Sequence, residues 1–308
     1  MSDQPQRTHI YQNHHMDSTR WDYFTPRDDD IVIATSYKAG TTWTQAIVAH
    51  LLFPDGRFPA APFEMSPWLD MRVIPLEVVL NGLQAQRHRR FIKTHLPLNG
   101  LVYNEKIKYL YIARDARDVF MSLWNHYSGM KEEVFMLMNH LPGRVGEELP
   151  PPPEDIHIFW KNWITRGAFA WESDGWPYWS HLSNVQSWWD FRHLSNIALF
   201  HYSDMLADTE QEIRRMAAFL EIAIPEHAWD AILKAVAFDT MKQQGELYTP
   251  GGGQFWKEGA KTFLHKGTNG RWREVLSAEE LTLYDAACDK ALTRECRQWL
   301  EHGGRIPA

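Results

Sequence analysis

The sequence predicts an α/β domain: a central, mostly parallel sheet with helices on both faces and a P-loop-like phosphate-binding turn. Three observations carry that reading. Short β-branched or aromatic runs recur at 31–35, 91–94, 108–113 and 197–202. Helical patterns separate them, the alternation that builds a parallel sheet covered on both sides. The first run also leads through Lys38-Ala39-Gly40-Thr41-Thr42 straight into a helix, and a helix start rich in free N–H groups is a ready anion site.

In chain order, residues 1–29 read as a mobile lead-in ending in Arg27-Asp28-Asp29-Asp30, and residues 30–308 as one domain. Strand 31–35 precedes a helix from Thr41 to Leu52, stopped by Pro54-Asp55-Gly56. A Pro-rich loop leads to a helix near 75–86 and then to strand 91–94, closed by Pro97. Strand 108–113 feeds a helix from Ala116 past Tyr127. Gly143 and Pro150 to Pro153 make 139–155 a stiff extended loop. Helices follow near 154–170 and 181–192, then strand 197–202, then amphipathic helices at 208–220 and 226–237. Gly245 to Gly259 reads as a flexible loop. One long helix is expected from Ala278 to His302, opened by the capping box Ser277…Glu280. Regions 139–155 and 245–262 are expected to be mobile without ligand and ordered around it.

Composition narrows the function. Lys plus Arg number 32 against 39 Asp plus Glu, for a net charge of −7, which speaks against a nucleic-acid binder. The two cysteines, Cys288 and Cys296, give no disulfide framework and read as reduced thiols on one C-terminal helix. The first residues are polar and no apolar run approaches membrane-spanning length. A soluble cytoplasmic protein, without membrane insertion, is expected. His14-His15 reads as a solvated pair in the lead-in. Of the 15 Trp, seven lie between 160 and 189. They suit an aromatic core and, equally, the wall of an organic-substrate pocket.

Four blocks carry chemistry. Ser36, Lys38, Gly40, Thr41 and Thr42 place hydroxyls and N–H groups around one phosphate, with Trp43 next to them for a flat base. Lys38 precedes the glycine, unlike the Gly-Lys-Ser/Thr loop that places a hydroxyl on magnesium. Lys93-Thr94-His95-Leu96-Pro97 ends a strand, where ligands of open sheets sit. His95 is there as a candidate general base, with Lys93 to offset developing charge. Arg114 at the next strand end and Ser122 two helical turns on point to a second phosphate. Asp115 or Asp118 serves as the helix cap, and Arg117 reads as an exposed surface residue. Phe263-Leu264-His265-Lys266-Gly267-Thr268-Asn269-Gly270-Arg271-Trp272 is a weaker anion signal.

In order and spacing, the four blocks resemble the cytosolic sulfotransferases. That family carries Tyr-Pro-Lys-Ser-Gly-Thr-Thr-Trp, Lys-Thr-His-Leu-Pro, Arg-x-x-x-Asp-x-x-x-Ser and Arg-Lys-Gly-x-x-Gly-x-Trp segments. The match runs from about residue 30 to 275, and Val185-Gln186-x-Trp188-Trp189 and Tyr202-x-Asp204-Met205 also look family-like. The resemblance implies a 3′-phosphoadenosine 5′-phosphosulfate donor, a small apolar acceptor with a hydroxyl or amine, and no metal. By the same resemblance Ser36, Lys38, Ala39, Gly40, Thr41 and Thr42 hold the 5′-phosphate and the sulfuryl bridge. Trp43, Tyr202 and Phe238 surround adenine. Arg114, Ser122, His265, Lys266 and Gly267 hold the 3′-phosphate. His95, Lys38 and Lys93 are the catalytic set. Positioning and charge stabilisation dominate such transfers.

There are departures. His265 stands where the family has Arg, and Ala39 where it has Ser. The family's dimer segment after Trp272 reads Arg273-Glu274-Val275-Leu276-Ser277-Ala278, so that dimer is not expected. Two other readings remain: a nucleotide-dependent small-molecule kinase, which a chelator would silence, and a nucleotide-binding protein without turnover.

Overall fold

The computed structural model describes residues 4–306. Four strands, β1 (Ile31–Thr35), β2 (Phe91–Thr94), β3 (Lys108–Ala113) and β4 (Ile197–His201), form one sheet in the order β2-β1-β3-β4. Every pairing is parallel, with Ala34 opposite Thr94 and Tyr111, and Ala113 opposite His201. An all-parallel sheet is covered on both faces, and β1 is buried at every position.

Side-chain alternation assigns the two faces. Val32, Ala34, Ile92, Tyr109 and Tyr111 pack with helices Leu76–Ala85, Ala116–Ser128, Ile156–Thr165 and His181–Trp189. Ile31, Ile33, Phe91, Leu110 and Ile112 pack with helices Thr41–Leu52, Thr209–Phe219 and Trp229–Val236. Because all four strands run the same way, their C-terminal ends share one edge of the sheet. Ser36, His95, Arg114 and Tyr202 each follow directly from one of those ends.

Several expectations need correction. The segment read as a mobile lead-in packs into the core from Tyr11 onward: Tyr11, Met16 and Trp21 are all at most 3% exposed. His14 and His15 are buried, not solvated. His14 Nε2 bonds to the Pro177 carbonyl at 2.8 Å, and burial lowers its pKa to about 4. Sequence composition alone hid this, because the residues that cover the pair, Tyr37, Trp68, Pro177 and Tyr178 among them, are distant in the chain.

The expected single helix 278–302 is two, Ala278–Ala291 and Arg294–His302. Leu292 is extended (φ −120°, ψ 144°), and the Thr293 hydroxyl caps the second helix by accepting from the Cys296 N–H. Cys288 and Cys296 are free and buried on the two successive helices. Residues 245–259 hold short turns at Gly245–Tyr248 and Pro250–Gly253, with Tyr248 and Trp256 buried. Strand β4 ends at His201, and Tyr202 opens a short helix to Ala207.

Candidate active site

Between β1 and the helix Thr41–Leu52 the chain makes a tight turn. Lys38 and Gly40 both adopt positive φ, 65° and 117°. At Gly40 a Cβ would also lie 3.0 Å from the Tyr202 ring, so the position favours glycine twice over. The helix that follows presents its first, unpaired N–H groups to the cavity beyond the strand ends.

That cavity has a volume of about 1170 Å³. It is lined by every residue expected at the site except Ser36 and Ala39: Lys38, Gly40, Thr41, Thr42, Trp43, Lys93, His95, Arg114, Ser122, Tyr202, Phe238, His265, Lys266 and Gly267. Ser36 is a correction. Its hydroxyl bonds to Nδ1 of His181, whose Nε2–H donates to the Arg114 carbonyl at 3.0 Å. Ser36 therefore fastens the turn to the neighbouring helix and the end of β3. Ala39 is fully buried within the core.

His95 is held by β1. Its Nδ1 lies 2.9 Å from the Thr35 carbonyl oxygen and 3.1 Å from the Thr35 hydroxyl, which in turn meets the Thr41 hydroxyl at 2.6 Å. Donation from Nδ1–H to the carbonyl leaves the lone pair on Nε2, the tautomer a base requires. Burial, then Lys93, pushes the His95 pKa well below its usual value, so the ring is neutral at pH 7. Its ring stands edge-on to Trp68 at 4.7 Å and stacks on Trp179 at 5.8 Å.

Two lysines flank it. Burial, with Lys93 and Arg114 adding, lowers Lys38 to about 7. Burial lowers Lys93 to about 8, with Asp70 opposing. The Lys93 ammonium sits 4.6 Å over Trp68. The Lys38 ammonium lies 4.5 Å over Phe263 and donates to His126 Nδ1 at 3.3 Å. That fixes the His126 proton on Nε2, which donates to the Tyr37 oxygen at 3.0 Å.

On the far side of the turn, Arg114 donates to the Asn269 side chain at 2.9 Å and the Thr268 carbonyl at 2.8 Å. Its guanidinium lies 4.4 Å over the Tyr202 ring. The Tyr202 hydroxyl donates to the Gly267 carbonyl at 3.1 Å. Gly267 has φ 64°, and a Cβ there would meet the Phe238 ring at 2.7 Å. Asp115 caps the helix, accepting from the Arg117 N–H. Arg117 is another correction: it pairs with Asp115 at 2.6 Å and stacks on Trp272 at 4.1 Å.

Sequence reasoning missed His15, Trp68, His126 and Trp256, and gave no role to Tyr37 and Phe263, which lie within the first and fourth blocks; all six line the cavity. For His126 a signal existed. It lies four residues after Ser122 on one helix, and that spacing puts both on one face. The Trp expectation resolves toward the core for five of the seven between 160 and 189: Trp160, Trp163, Trp179, Trp188 and Trp189 are buried, whereas Trp171 is exposed. The cavity Trp are 43, 68 and 256, and none of the seven lines it.

The sulfotransferase domain family matches residues 28–295. The chain belongs to the sulfotransferase family. A glycolipid sulfotransferase of Mycobacterium bovis (strain BCG / Pasteur 1173P2) is 30% identical, over 96% of this chain and 95% of that protein. Sulfotransferase 1A1 of Rattus norvegicus is 28% identical over 88% and 87%. The fold is shared with mouse sulfotransferase SULT7A1, solved in complex with PAP. That match has a TM-score of 0.70 and 20% identity, and covers 92% of this chain and 93% of that one. Retinol dehydratase, solved with androsterone and inactive cofactor PAP, aligns with a TM-score of 0.66 and 22% identity over 90% and 84%. Membership sets aside the kinase and the non-catalytic binder. No helix among the described residues is long and apolar enough to cross a membrane.

Proposed function

We propose that this sulfotransferase moves a sulfuryl group from 3′-phosphoadenosine 5′-phosphosulfate to a hydroxyl or amine of an apolar acceptor in the cytoplasm, with His95 as general base. The observation that carries the reading is the meeting of Lys38, Lys93 and a neutral His95 in one cavity. Their elements, β1 and β2, are adjacent.

The 5′-phosphate sits against the start of helix Thr41–Leu52, and adenine between Trp43, Tyr202 and Phe238. Arg114, Ser122 and the Lys266-Gly267 turn hold the 3′-phosphate. His95 Nε2 accepts the acceptor's proton as its oxygen attacks sulfur. The bond from sulfur to the bridging phosphate oxygen breaks, and Lys38 stabilises the charge left there. A sulfuryl group carries less charge than a terminal phosphoryl group, so lysines suffice where a kinase uses magnesium.

The acceptor reading rests on the rest of the lining. Met71, Val79, Leu83, Met130, Val134 and Met138 are apolar and line the same cavity. Ile74, Val78 and Leu137 also line it while 47%, 56% and 41% exposed, which leaves an apolar rim for a hydrocarbon chain. The glycolipid sulfotransferases to which the chain is similar support an amphiphilic alcohol.

The test is transfer of labelled sulfur from the donor to a panel of alcohols graded by chain length, with and without chelator. Turnover that rises with chain length and ignores the chelator is expected. Strict metal dependence, or the absence of any acceptor, would sink the reading.

A further inference from the structure

The 3′-phosphate end of the cavity carries one cation that the family pattern does not supply. His265 stands where that pattern has Arg, and it is a poor substitute. Burial, then Arg271 and Lys266, lowers its pKa, so at neutral pH it brings no charge. Its buried Nδ1 has no hydrogen-bond partner among the described residues.

Arg271 lies on the same loop and lines the same cavity. Its Nε is buried and has no hydrogen-bond partner among the described residues. A buried guanidinium N–H without an acceptor is unfavourable. Nor does any carboxylate among the described residues form an ion pair with Arg271. Its electrostatic neighbours are Arg114, which repels it, and Asp118, which attracts it. Asp118 is partly engaged, accepting the Gly270 N–H at 2.7 Å.

The loop is built, not loose. Arg114 grips the Asn269 side chain and the Thr268 carbonyl. Trp272, just after Arg271, is clamped between the Arg117 and Arg273 guanidiniums at 4.1 and 4.4 Å. Two like charges, one with an orphan donor, thus meet at a cavity wall. An anion placed there relieves the repulsion between the two guanidiniums.

We propose that Arg271 binds the 3′-phosphate of the nucleotide, with Arg114 and Lys266, and replaces the arginine absent at position 265. The proposal rests on the donor reading above. Arg271 is a binding and specificity residue: it selects nucleotides with a 3′-phosphate and takes no part in proton transfer.

The experiment compares affinity for 3′,5′-adenosine bisphosphate with that for adenosine 5′-monophosphate. The proteins are the wild-type chain and the Arg271→Ala, Arg271→Gln and Arg271→Ala/His265→Arg variants. Wild type should prefer the bisphosphate. Arg271→Ala should lower that preference about 10- to 100-fold, with affinity for the monophosphate nearly unchanged. His265→Arg should restore part of it. Arg271→Gln keeps the side chain's length and reports the same loss if the Ala variant does not fold. A variant that keeps the wild-type preference overturns the role of Arg271. A wild-type chain with no preference for the bisphosphate would instead remove the donor reading, and the proposal with it.

Discussion

His95 Nδ1 lies 2.9 Å from the main-chain oxygen of Thr35, so the tautomer of the candidate base is set by the strand beside it. The ring is buried near Lys93, and its pKa is depressed well below the ordinary value. A base with a depressed pKa stays unprotonated as the pH falls through 6.5. The acid limb of kcat/KM is therefore expected below the usual histidine range. His95→Ala should lower kcat by about 10²- to 10⁴-fold while leaving nucleotide affinity almost intact. Steady-state kinetics across pH, with calorimetric titration of 3′,5′-adenosine bisphosphate, checks both. Full activity in the variant would exclude His95 as the base.

Lys38 has the opposite pH signature. Its pKa is lowered to about 7 in the free protein, first by burial and then by Lys93 and Arg114. A bound phosphate opposes that lowering, so nucleotide binding takes up a proton. Affinity should then fall as pH rises from 7 toward 9. Calorimetry in two buffers of different ionisation enthalpy would show uptake at pH 8, and Lys38→Met should abolish most of it. The same variant should lower kcat more than nucleotide affinity.

Much of this site was legible because its parts are local. Strands 31–35, 91–94 and 108–113 and the helix Thr41–Leu52 fall where short β-branched runs and a glycine turn put them. A parallel sheet then brings Lys38, His95, Arg114 and Tyr202 to one edge without further information. What escaped depends on distant partners. Nothing beside Ser36 in the chain shows that its hydroxyl meets His181, 145 residues on. Nothing beside His14 names Pro177. The break at Leu292 was local and readable: Thr293 three residues before Cys296 is a helix cap, obscured by the unbroken apolar pattern.

Below the site, Arg90 and Asp30 form a buried pair, with Nε to Oδ1 at 2.7 Å and both side chains at most 2% exposed. Asp30 immediately precedes β1 and Arg90 immediately precedes β2, so the pair locks the entry of both strands. Removing one partner strands the other charge. Asp30→Ala is expected to cost about 3–5 kcal/mol. Denaturant unfolding of the single and double variants, as a cycle, separates coupling from desolvation. A loss under about 1 kcal/mol for the single variant would contradict the assignment.

Gly267 joins stability to binding. Its φ of 64° disfavours any side chain, and a Cβ would meet the Phe238 ring at 2.7 Å. Phe238 is also a proposed adenine contact, so Gly267→Ala would displace the ring into the nucleotide's space. The backbone strain alone is worth about 1–2 kcal/mol. The Tyr202 hydroxyl, which donates to the Gly267 carbonyl, ties the same turn to the other side of the adenine site. Gly267→Ala should therefore weaken adenosine 5′-monophosphate as well as 3′,5′-adenosine bisphosphate, because adenine is common to both, with a further loss for the bisphosphate, whose 3′-phosphate the same turn holds. This separates it from Arg271→Ala, which acts on the 3′-phosphate alone. Phe238→Ala in the Gly267→Ala background removes the clash but also the stacking surface, so it should recover thermal stability without recovering affinity. Recovery of both would mean that Phe238 does not touch the base.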